Sequence, residues 1–94
     1  MARSKEMMTQ TQFVLLRVLA RGQTIQRNSD GGAELIPAGK EFPYVPPPGR
    51  KAELVFVSTV DALERRGWIE AEDRLGVFTH YAITVDGRAA LGSA

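Results

Sequence analysis

The sequence predicts a small α+β domain whose elements run helix, hairpin, extended insert, helix, hairpin, short helix. Three observations carry this. Apolar residues recur at helical spacing in two separate stretches, Phe13, Leu16, Leu19, Ala20 and then Phe56, Val60, Leu63. Short apolar–polar runs flank Ser29-Asp30-Gly31-Gly32, a reverse-turn signature. Four of the five prolines fall within 38–51, where no helix survives them. At 94 residues the chain suits one domain, and about 60–70% of the unfolded surface can be buried at this size.

Each element follows from local chemistry. Residues 1–8 read as a flexible start and 9–94 as a single domain, with an insert over 23–51. A first helix is expected over 9–21, capped by Thr9 or Thr11, with Leu15 widening its stripe. Gly22 ends it, and Arg21 suits the negative end of the helix dipole. A hairpin spans 24–37, because Asp30-Gly31-Gly32 supplies the positive φ angles of a tight turn. Over 38–51, Phe42, Tyr44 and Val45 alternate with Pro43 as an extended, edge-strand-like segment, and Pro46-Pro47-Pro48 reads as a stiff spacer.

From Ala52 the pattern turns helical again. Its start is read two ways. Leu54-Val55-Phe56-Val57 has the β-branched content of a short strand, and Ser58 followed by Asp61 imitates a capping box. We favour a helix beginning near Glu53, with Phe56, Val60 and Leu63 on its buried stripe and Gly67 after its end. Trp68-Ile69-Glu70-Ala71 reads as a strand, 72–77 as a charged loop, and 78–84 as the returning strand. Tyr81 and Ile83 share one face of that strand, His80 and Ala82 the other. Thr84 caps a last helix over 85–91.

Composition narrows the function. The chain has no cysteine, so disulfides and cysteine-held metals are excluded. The apolar run at 54–57 is far short of a membrane span, and 1–12 carries no signal-peptide core, so no membrane partner and a cytoplasmic location are expected. Twelve basic residues against eleven acidic give a net charge of +1. Binding to phosphate therefore requires the positive charge to be sorted onto one face, and Arg50, Lys51, Arg65, Arg66 and Arg74 are the residues whose placement decides it.

Catalytic signals are weak, and no enzyme, cofactor or metal is expected. His80 is the only histidine, and Ser4, Ser29, Ser58 and Ser93 lack any nucleophile motif. Asp30-Gly31-Gly32 lacks the helix and lysine of a phosphate loop. Glu70, Glu72 and Asp73 read as a solvated acidic patch before a cation site. Trp68 and Tyr81 read as core aromatics.

The second half carries a resemblance. Residues 58–70, with Leu63-Glu64-Arg65-Arg66-Gly67-Trp68-Ile69-Glu70, look like the recognition helix and first wing strand of bacterial winged-helix regulators of the MarR and PadR kind. Residues 81–91, with Thr84 capping and Gly87 allowing close packing, look like their second wing strand and following helix. The resemblance covers about forty residues in order. It implies a winged helix in which a β-hairpin and proline-rich insert replace the usual second helix. Leu16-Arg17-Val18-Leu19-Ala20-Arg21-Gly22, leading into a hairpin, also resembles a small bacterial winged-helix family of toxin-like proteins.

The resemblance implies a small transcriptional regulator of helix-turn-helix type, a homodimer bound to double-stranded DNA. Ser58, Thr59 and Ala62 would approach base edges, Arg65 and Arg66 would contact phosphate, and Arg74 would extend the wing. The alternative is a non-enzymatic protein-interaction module or inhibitor, phage-type or toxin-like. It would grip a protein partner through 23–51 or through the recognition helix.

Overall fold

The structure is a computed structural model that describes residues 8–93; of the flexible start expected over 1–8, residues 1–7 lie outside the described residues. Met8 is described and packs on the apolar core. The N-terminal helix, α1 (Gln10–Ala20), starts as its sequence dictates. The Gln12 backbone N–H donates to Thr9 Oγ1 at 3.1 Å and the Thr9 N–H donates to Gln12 Oε1 at 3.3 Å, a reciprocal capping box. Leu15, Leu16 and Leu19 form its buried stripe.

Two strands follow, β1 (Thr24–Asn28) and β2 (Ala33–Ile36), paired antiparallel. Gly31 makes the turn between them at φ +104°, a conformation L side chains resist. The proline-rich stretch is not a strand. It is an irregular loop, with backbone turns closed by Lys40 N–H to Pro37 O and Arg50 N–H to Pro47 O. A short strand, β3 (Glu53–Val55), then pairs antiparallel with β2.

The second helix, α2 (Val57–Arg65), begins four residues later than expected. The β-branched run forms ladder hydrogen bonds first, and Phe56 becomes the N-cap without any side-chain cap. The Ser58–Asp61 capping box is absent, because Ser58 lies inside the helix and is not its N-cap; Asp61 pairs with Arg27. Phe56, expected in the core, is 73% exposed; it precedes the helix and so leaves the stripe that Val60 and Leu63 continue.

The last three elements are β4 (Ile69–Leu75), β5 (Phe78–Ile83) and α3 (Val85–Ser93). The expected charged loop over 72–77 is mostly strand. Pairing runs to Leu75 opposite Phe78, leaving only Gly76 and Val77 as the turn, with a bulge between Ala71 and Asp73. The final helix also runs two residues beyond 91. The Gly87 N–H donates to Thr84 Oγ1 at 2.9 Å, and Thr84 Oγ1 donates to Gly67 O at 2.7 Å, tying α3 to the end of α2.

Together these make an α+β fold of three helices and one antiparallel five-stranded sheet, in the order β3-β2-β1-β5-β4, among the described residues. Strand alternation gives the sheet two different faces. The front carries Ile25, Leu35, Ile69 and Tyr81, which join Leu16, Leu19, Val60 and Leu63 in one core. Helix α1 packs against α2, α3 and β5 on that side. The back carries Gln26 and His80, and the proline-rich loop crosses it.

Candidate functional site

Val60 and Leu63 are fully buried, so the geometry of α2 turns Ser58, Asp61, Ala62 and Arg65 away from the core. Ser58 and Arg65 are exposed, whereas Asp61 and Ala62 are half-buried. Thr59 is not on this outer face. It lies on the flank of α2 and lines a groove with Val14 and Val18 of α1 and Val55 and Phe56 at the β3 edge. Arg66 follows the helix, and its guanidinium sits 4.5 Å from the centroid of the Trp68 ring, a cation–π contact that fixes its direction. Arg74 is exposed on β4, opposite Thr79 of β5.

Arg27, which sequence reasoning missed, joins this group. It shares the front face with Thr79 and Arg74 by register, and its Nη1 donates to Asp61 Oδ1 at 2.5 Å. The carboxylate of Asp61 strengthens the arginine's hold on its proton, raising its pKa against the opposing effect of burial. Nothing local in Thr24-Ile25-Gln26-Arg27 announces the contact, since the partner lies 34 residues on. Arg27 and Arg74 also line one cleft with Asn28, Ser29, Thr79 and Tyr81.

The acids of β4 go the other way. Asp73 opposes His80 in the ladder, and the bulge turns Glu72 toward the same ring. His80 Nδ1 lies 3.7 Å from Asp73 Oδ2 and 4.0 Å from Glu72 Oε1 and makes no hydrogen bond. The Phe42 ring stacks on His80 with centroids 4.6 Å apart and planes inclined by 7°. Glu70, opposite Ala82, has the same back-face parity. The bulge and the pleat therefore separate the arginines from the acids that neighbour them in sequence. Arg50 and Lys51 do not join the front group. They line a recess with Gln23, Pro37 and Tyr44, at the end of β1 and β2 away from the hairpin turns.

Two further observations bear on function. Leu54 is 76% and Val14 50% exposed, and with Phe56 they rim the groove at the β3 edge, a concentration of apolar surface on a free strand. Among the described residues, no helix is long and apolar enough to cross a membrane, and no group of His, Asp or Glu is placed to hold a metal ion. In comparisons with known proteins, the chain matches no family model, no curated protein and no solved structure.

Proposed function

We propose that the protein binds double-stranded DNA as a small winged-helix regulator, with α2 toward the major groove and the β4–β5 hairpin against the backbone. The observation that carries this reading is the sorting of charge across the sheet. Arg27 and Arg74 stand on the front, beside the α2 face that carries Arg65, while Glu70, Glu72 and Asp73 stand on the back. A net charge of +1 is no obstacle once Glu70, Glu72 and Asp73 face away from the ligand and Asp61, on the outer face of α2, is paired with Arg27. Ser58 and Ala62 keep the outer face of α2 low enough for close approach to base edges, and the Ala62 methyl suits a thymine methyl. Arg65 supplies a phosphate contact beside them, with Arg66 directed by Trp68.

The test is a salt titration with random-sequence duplex. Wild type should bind with a log–log salt dependence, and Arg65→Ala should reduce the magnitude of that slope by about 0.9, the contribution of one phosphate contact. Ser58→Ala should alter the sequences enriched from a random pool more than it alters general affinity. Absence of wild-type binding at low salt would sink the DNA reading.

The apolar rim of the β3 groove favours a second reading, a protein-interaction module that docks an apolar side chain of a partner beside Phe56 and Leu54. A second copy of the chain is the simplest such partner. Sedimentation equilibrium tests that form: a dimer that Phe56→Ser dissociates supports it, and a wild-type monomer at high concentration removes it.

A further inference from the structure

The turn of the first hairpin and the turn of the last one meet. The Ser29 N–H donates to Val77 O at 2.8 Å, which locks the β1–β2 turn to the β4–β5 turn. The β1–β2 turn is itself braced, with Asn28 N–H on Gly32 O at 2.8 Å and Asp30 N–H on Asn28 Oδ1 at 2.9 Å. Beside this junction lies a cleft of about 450 Å³, lined by Arg27, Asn28, Ser29, Arg74, Thr79 and Tyr81. Its walls are two guanidinium groups, hydroxyls and an amide.

We infer that this cleft is a phosphate-binding site that takes one phosphodiester of a nucleic-acid backbone, and that Arg27 exchanges Asp61 for that phosphate when it binds. The inference rests on the DNA reading for its polymer, but its chemistry stands on the cleft. Arg74 forms no ion pair among the described residues and is exposed, so its full charge is available. Arg27 is held by a single carboxylate that is itself partly exposed, at 43% of its side chain. A phosphodiester presents two oxygens that share one negative charge, as a carboxylate does, and the guanidinium fork donates to either. Asp30, at the tip of the β1–β2 turn, opposes the anion, and Asp61 competes for Arg27; the two arginines outweigh the first and the exchange accounts for the second. The Arg27–Asp61 contact sets the cleft beside the outer face of α2, so one backbone can meet both.

This exchange makes a prediction opposite in sign to ordinary loss of a contact. Asp61→Asn should tighten duplex binding severalfold, because it frees Arg27, and the gain should vanish in Asp61→Asn with Arg27→Gln. Arg74→Ala should weaken binding and lower the magnitude of the salt slope by about 0.9. Thermal melting of each variant separates these effects from unfolding. The decisive measurement pairs duplex binding with a titration of the full wild-type chain by inorganic phosphate, read from the amide and arginine Nε–H NMR signals. Shifts confined to Ser29, Arg74, Thr79 and Arg27 support the cleft even if duplex binding is absent, and then assign it to a free phosphate. Duplex binding that Arg74→Ala and Asp61→Asn leave unchanged, with no phosphate-induced shift at these residues, overturns the cleft while the DNA reading survives. Absence of both duplex binding and phosphate shifts overturns both.

Discussion

The two faces of the sheet are closed by different physics. On the front, α1 and α2 press Leu16, Leu19, Val60 and Leu63 onto Ile25 and Ile69, each essentially without exposed surface. That closure is apolar and non-directional, and its strength scales with area removed from water. On the back, a proline-rich loop does the covering through aimed contacts. Gln26, 2% exposed, donates from Nε2 to Tyr44 O at 3.0 Å and accepts from the Tyr44 N–H at 2.7 Å, so its amide takes the place of a neighbouring strand. Phe42 on His80 is the second such contact. The front can therefore be recognised from residue type and spacing, whereas the back depends on pairs of residues finding one another.

Three substitutions test that contrast. The largest effect belongs to the front. Leu63→Ala should lower stability by about 2–5 kcal/mol, as truncation of a buried leucine does, and should do so cooperatively for the whole domain in chemical denaturation. A loss below about half a kcal/mol would mean the apolar face is not one core.

Gly87→Ala comes next. A Cβ there would stand 2.2 Å from Trp68 O and 2.8 Å from Ile83 Cγ1, so α3 must back away from the start of β4. A cost of about 1–3 kcal/mol is expected from such overpacking, visible as a lower melting temperature, although alanine is the better helix former. A stabilised variant would show that α3 is not seated as described.

The smallest effect belongs to the back, and it differs in kind. Gln26→Ala should cost about 1–2 kcal/mol, since each net hydrogen bond is worth about 0.5–1.5 kcal/mol. Hydrogen exchange should quicken at the Tyr44 amide while the amides of α1 and α2 keep their protection. Equal acceleration everywhere would erase the distinction between the two faces.

How far the sequence reaches follows the same division. Helix α1, the Gly31 turn, the β4–β5 pairing and the Thr84 cap were all legible, because each depends on residues within a few positions of one another. The start of α2 was not. Leu54-Val55-Phe56-Val57 satisfies a strand and a helix alike, and β2 decided by offering a ladder to Glu53–Val55. Of the residues singled out for DNA, Ser58, Ala62 and Arg65 share the outer face of α2, and Arg74 stands on the front of β4. Thr59 turned into the apolar groove, because it lies about 40° from Leu63 around the helix and so flanks the buried stripe.

The sequence by itself determined α1, the Gly31 turn, the Thr84 cap and most of the front core, Phe56 excepted, since propensity, spacing and capping act over one or two turns of chain. It contained the charges but not their arrangement. A bulge at Glu72 and the β1–β5 register decided that Arg27 and Arg74 stand together while Glu72 and Asp73 face His80. Only the tertiary structure could decide this. A shift of one residue in a strand moves every side chain to the opposite face, and that register is set by partners far away in the chain.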